Sequence, residues 1–223
     1  IAEIGMFGVI KRKIMNETYW MAFLNAIDAT LRHGFEVNLI EEVRELPDTR
    51  KLRENYHQLV IGAGLDPRYS AGQCLKWTYA FAPRMREVCG QDVQITLGEV
   101  VHSHDGMTLF PCGSEVPFEM AKLGTVQEGR AIECHAWWTV SGTTIVDPTL
   151  MYSFAAANPK KAHDYLRRGV LSGQPAEIHQ YNYKPIGVGS LLVEQIDSST
   201  KIGLLARNLT PSEMHFPRAT VKR

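Results

Sequence analysis

Long apolar runs, paired cysteines and an excess of either charge are all missing from this 223-residue chain. No stretch approaches the roughly 20 apolar residues that span a bilayer, so no transmembrane helix is expected. The opening Ile-Ala-Glu-Ile-Gly-Met-Phe-Gly-Val-Ile-Lys-Arg-Lys carries its charges after the apolar part, the reverse of a secretory signal. It starts without Met, which leaves room for a targeting segment ahead of it. Lys+Arg and Asp+Glu balance at 24 each, which argues against a broad basic surface for nucleic acid. Lys11-Arg12-Lys13 and Lys160-Lys161 accordingly read as solvated faces. The four cysteines, Cys74, Cys89, Cys112 and Cys134, form no CxxC pair and no dense disulfide framework. Reduced thiols in a cytoplasmic compartment are the expectation, with an exported, bridged protein as the alternative. Gly62-Ala-Gly64 lacks the remaining elements of a dinucleotide site, so no nucleotide cofactor is expected. There is no internal repeat and no low-complexity segment.

With 44% hydrophobic and 22% charged residues, the composition is that of a globular protein large enough to bury a sizeable core. We read one domain in three parts: a helical N-terminal segment (1–65), a core (66–150) and a C-terminal extension (151–223). Asn16 is an N-cap candidate for a helix to about His33, closed by Gly34, with Trp20, Phe23, Leu24, Ile27 and Leu31 on one face. Residues 35–40 alternate like a short strand. Asp48 caps a second helix to about Ile61, with Leu52, Tyr56, Leu59 and Val60 on one side.

A third, mostly buried helix starts at Gln73 or Cys74 and runs to about Val88, with Pro83 implying a kink or an early end. From Val93 the apolar period becomes two, predicting a strand to about Val101. Met107–Phe110 is a second possible strand in an otherwise looped 102–130. Ala131–Val140 and Thr143–Val146 read as a hairpin around Ser141-Gly142. Asn158 is a cap candidate for a helix over 159–168, Ser190–Ile196 reads as a strand, and the chain from Phe216 as a frayed end. The predicted class is α+β, an antiparallel sheet packed against a cysteine-bearing helix.

Three residues stand out against this background. Cys74, in Ala-Gly-Gln-Cys-Leu-Lys-Trp, opens a helix, where unpaired N–H groups and the helix dipole favour thiolate. His135, in Glu-Cys-His-Ala-Trp-Trp, and Asp147, in Ile-Val-Asp-Pro-Thr, fall on the two strands of one hairpin, which can hold a base beside the carboxylate that orients it. A two-residue turn pairs Val140 with Thr143 and sets His135 opposite position 148. A bulge or another turn length is then needed to bring Asp147 onto its face. Each residue alone has an ordinary explanation: a small buried thiol, a structural imidazole, a strand-ending turn. The combination is what points to chemistry.

Gly-Gln-Cys with a Trp shortly after, His-Ala-Trp and Val-Asp-Pro-Thr resemble the three motif blocks of the transglutaminase-like superfamily, a circularly permuted relative of the papain-type cysteine proteases. The resemblance covers roughly residues 70–150. It implies a papain-like core with Cys74 as nucleophile, His135 as base and Asp147 as its orienter. It also implies acyl transfer on an amide through a thioester, with the Cys74 N–H as one oxyanion donor and Tyr69 or Gln73 as candidates for a second. A protein or peptide substrate follows. Water as acceptor gives a protease or a glutamine deamidase, and a lysine amine gives a cross-linking enzyme; hydrolysis is the preferred expectation. Arylamine N-acetyltransferases share the Cys-His-Asp order, but their surroundings are not evident here.

Two other readings compete. His102, His104, Cys112, Cys134 and His135 offer soft ligands for zinc, but their spacing matches no standard arrangement, so no metal is expected. A catalytically inactive transglutaminase-like scaffold is the second. Trp77, Trp137 and Trp138 are expected to be core before they are an acyl channel.

Overall fold

The computed structural model describes residues 6–37, 47–90, 92–123, 134–200 and 203–215. The architecture is mixed α+β with a curled antiparallel sheet. Helix α1 (Met6–Arg32) precedes α2 (Thr49–Gly62), a short 3-10 turn (Pro67–Ser70) and α3 (Cys74–Cys89). Strands β1 (Val93–His102) and β2 (Thr108–Phe110) follow, then α4 (Val116–Leu123), β3 (His135–Val140) and β4 (Thr144–Asp147). The chain continues through α5 (Leu150–Ala157), a 3-10 turn (Pro159–Lys161), α6 (Ala162–Arg168), β5 (Leu171–Gly173) and β6 (Tyr181–Val188). Helices α7 (Ser190–Ser199) and α8 (Pro211–Met214) close the described chain. No helix among the described residues is long and apolar enough to cross a membrane.

The sheet runs β2-β1-β3-β4-β5, and β6 also pairs with β1. Strand β6 takes one edge of β1 from Thr96 to His102. Strands β3 (against Val93 to Gly98) and β2 (against Val100 and Val101) therefore share the other edge. That sharing sets Phe110, opposite Val100, next to His135, opposite Gly98.

Two cores cover the two faces. Alternation puts Ile95, Leu97, Ala136, Trp138 and Val146 on one face, packed with Trp77, Phe81 and Met85 of α3. The other carries Val100, Trp137, Ile145 and Tyr183 against Tyr19, Phe23 and Ile27 of α1. Neighbouring tryptophans record the split. Trp138 Nε1 donates to the Thr78 carbonyl of α3 at 2.9 Å, and Trp137 Nε1 donates to the Tyr19 hydroxyl of α1 at 2.9 Å. All three tryptophans, Trp77 included, are fully buried core.

Helix α2 begins as expected, the Asp48 carboxylate accepting from the N–H groups of Arg50 (2.9 Å) and Lys51 (3.3 Å). Helix α1 starts ten residues before the expected cap. Asn16 sits in its interior and serves a tertiary role, hydrogen-bonding Gln174 and accepting from the Ala176 N–H. Leu31 is on the exposed side, and the buried stripe runs Tyr19, Phe23, Ala26, Ile27, Thr30. Helix α3 continues through Pro83 to Cys89 and ends at Gly90 in the left-handed region. Residues 35–37 form no strand, and the rest of that expectation lies outside the described residues, as do the start of the 131–140 strand and the chain from Phe216.

Helices α4 and α5 arise where no helix was expected, and Asn158 makes no capping bond. Residues Ser190–Ile196 are helix, not strand. Leu192, Val193 and Ile196 recur at helical spacing and are the buried positions, whereas Leu191 is exposed. The strand lies before them in Tyr181–Val188, with Pro185 tolerated because β6 is paired on one side only.

Candidate active site

The hairpin of β3 and β4 is one residue longer in its turn than a two-residue connection. Val140 pairs with Thr144, Thr139 with Ile145 and Trp138 with Val146. Residues 141–143 form the turn, with Ser141 (φ 48°) and Gly142 (φ 76°) in the left-handed region. Gly142 also lies under the Trp20 ring, where a Cβ would come within 2.2 Å of a ring carbon. Continued by one step, this register sets Asp147 across from Trp137, so His135 is its diagonal neighbour on the same face. The extra turn residue resolves the off-by-one problem without a bulge, because a shift of one position exchanges the faces of a strand. His135 is the first residue of β3 rather than its middle.

Both side chains are fully buried, and His135 Nε2 lies 2.6 Å from Asp147 Oδ2. A carboxylate only accepts, so Nε2 carries a proton in both charge states of the ring, and Nδ1 is the nitrogen that gains or loses one. Nδ1 is buried and makes no hydrogen bond of ordinary geometry. Cys74, half-buried at the first position of α3, is the second side chain that acts on this imidazole, by hydrogen bond and by charge. Burial alone would depress the His135 pKa, but the charge and hydrogen bond of Asp147 and the hydrogen bond and charge of Cys74 together raise it to about 10. Burial likewise opposes ionisation of Asp147. The imidazolium, the Thr149 N–H and the Tyr183 hydroxyl outweigh it and hold this carboxyl below the usual range.

The Asp147 carboxylate has every acceptor position occupied. Oδ1 takes the backbone N–H groups of Thr149 (3.0 Å) and Leu150 (2.9 Å) and the Thr149 hydroxyl (3.3 Å). Oδ2 takes His135 and the Tyr183 hydroxyl, the latter at 2.8 Å. The Phe110 ring stacks on His135 at 4.4 Å between centroids. The Thr149 contacts were signalled locally, since Asp two residues before Thr is turn chemistry at a helix start. Tyr183 and Phe110 carried no such signal, arriving from β6 and β2.

Of the candidate oxyanion donors, the Gln73 side-chain amide donates to the Tyr69 carbonyl at 2.5 Å. Tyr69 is half exposed and stacked on His215 at 4.2 Å. All four cysteines are free thiols, Cys112 and Cys134 buried. Of the zinc candidates, His102 pairs with Asp105 at 3.0 Å. Among the described residues no group of three or more His, Cys, Asp or Glu side chains is placed to hold a metal ion. Compared with family models, curated proteins and solved structures, the chain finds no match in any of the three.

Proposed function

We propose that this protein performs cysteine-dependent acyl transfer or hydrolysis on an amide, a peptide bond or a glutamine carboxamide, through a thioester on Cys74. The observation that carries the reading is the buried His135, clamped by Asp147 at Nε2 and acted on from α3 by the hydrogen bond and charge of Cys74. An imidazole so arranged can exchange a proton with a neighbouring acid at Nδ1, and the cysteine that acts on it opens a sixteen-residue helix. Nδ1 accepts the thiol proton and Asp147 stabilises the imidazolium. The Cys74 thiolate adds to the carbonyl carbon, with the Cys74 backbone N–H as a donor for the oxyanion. Nδ1–H protonates the leaving amine as the C–N bond breaks, and water or a second amine then resolves the thioester. A helix-borne cysteine against an antiparallel sheet carrying histidine and aspartate is the arrangement expected of a papain-like, transglutaminase-like core, and the motif blocks support that family. Hydrolysis of a protein or peptide substrate is the preferred outcome.

The test is labelling with limiting iodoacetamide near neutral pH, read by intact mass with mapping of the modified cysteine. Rapid alkylation of Cys74 that collapses in His135→Ala is the expected result. Cys134 should stay unmodified in the folded protein, because contact with the Cys112 thiol and burial push its own thiol well up. A Cys74 that labels no faster than Cys89 sinks the catalytic reading and leaves an inactive scaffold as the better one.

A further inference from the structure

We propose that Tyr183 is a positioning residue of this site, a fourth member supplied by β6 that holds the Asp147 carboxylate ionised and aimed at His135. The inference rests on the reading of Cys74 and His135 as an activated pair.

Tyr183 lies outside the motif window, in a segment with no resemblance to the family blocks. Its hydroxyl donates at 2.8 Å to the same Oδ2 that accepts from His135 Nε2. The side chain is buried, and its ring meets Trp137 edge-on at 5.0 Å. Its backbone is fixed by pairing with Val100 of β1. Three strands therefore converge on one oxygen: β3 through His135, β4 through Asp147 itself and β6 through Tyr183. The Thr149 and Leu150 N–H groups anchor Oδ1, and among the described residues Oδ2 is held by His135 and Tyr183. Other titratable groups acting on this cluster are Tyr19 on α1, Tyr56 on α2, Cys74 on α3 and Tyr181 on β6. Burial first, and then the Asp147 charge, push the Tyr183 phenol well up, so it remains a donor across the working pH range.

Without the hydroxyl, Oδ2 keeps one donor. The carboxylate becomes easier to protonate and freer to turn away from Nε2, which destabilises the imidazolium and with it the thiolate. The experiment is the pH dependence of Cys74 alkylation by iodoacetamide in wild type, Tyr183→Phe, His135→Ala and the double variant. Phe keeps the ring and its contact with Trp137, and circular dichroism at the assay temperature reports that each variant is folded. Tyr183→Phe is expected to move the acid limb of the profile up by about one pH unit and to slow labelling about tenfold near pH 6. In the His135→Ala background the same change is expected to alter the rate less than about twofold, since there is no imidazolium left to support. An unmoved limb in Tyr183→Phe reduces the residue to packing and overturns the proposal. Equal slowing in both backgrounds indicates general loosening and overturns it too. A wild-type Cys74 that alkylates like an ordinary thiol is read from the wild type alone, and overturns the activated pair beneath both proposals.

Discussion

Replacing Asp147 with Asn tests the electrostatics of the buried pair with little change in shape. The carboxylate accepts five hydrogen bonds, and an amide cannot accept all of them. With its nitrogen at the Oδ2 position, the amide meets the His135 N–H as donor against donor, and the Tyr183 hydroxyl must turn from donor to acceptor. Flipped, it meets the Thr149 and Leu150 N–H groups instead. The charge that contributes most to raising the His135 pKa is gone as well. Removing one partner of a buried ion pair ordinarily costs about 3–5 kcal/mol. At about 2–4 °C per kcal/mol for a domain of this size, Tm should fall by roughly 6–20 °C near pH 6.

The pH dependence separates this account from simple mispacking. His135 is raised on folding, so its contribution is complete below its unfolded pKa of about 6.5 and disappears as pH climbs through about 10. Asp147 is lowered on folding, so its contribution is complete above the unfolded value of about 3.9 and is lost as pH falls through its depressed one. Stability from the pair therefore peaks between about pH 5 and 6 and declines on the alkaline side. Urea melts from pH 5 to 10 should show the wild type losing several kcal/mol above neutrality, with the variant's curve much flatter there. Parallel curves for the two proteins would mean that His135 is not held charged by Asp147, and the reasoning fails.

Two further substitutions bear on how the fold presents the site. Gly98 pairs with His135, and a Cβ there would lie 2.1 Å from the Lys184 carbonyl oxygen and 2.9 Å from the Trp137 ring. Gly98→Ala should force β6 away from β1, destabilise the protein by about 1–3 kcal/mol and slow Cys74 labelling, because Tyr183 moves with β6; a variant with wild-type melting and labelling contradicts the close approach. Asp48→Ala should cost about 0.5–2 kcal/mol in denaturant unfolding through loss of the α2 cap and leave Cys74 labelling unchanged, since the cap hydrogen bonds involve none of Cys74, His135 and Asp147.

What was legible in the sequence was local. Asp48 caps α2 because the cap is a contact between residues two and three apart. The helix beginning at Cys74, the alternation from Val93 and the His135–Asp147 hairpin are likewise periodicities and turns within a short window. What escaped depended on residues distant in sequence. Asn16 has the chemistry of a cap, yet its side chain is used by residues 174 and 176 inside a longer helix. Ser190–Ile196 has strand composition, and became helix because only Leu192, Val193 and Ile196 find a core to enter. The turn at 141–143 gained a residue with Gly142 packed beneath Trp20 of α1, and that one residue puts His135 and Asp147 on the same face. The sequence by itself determined that a cysteine opens a helix and that a histidine and an aspartate fall on the two strands of one hairpin. Tertiary structure alone decided that the pair is buried, that Cys74 acts on the imidazole, and that Phe110 and Tyr183 close around it. Burial and register are properties of the packed sheet, and no local window contains them.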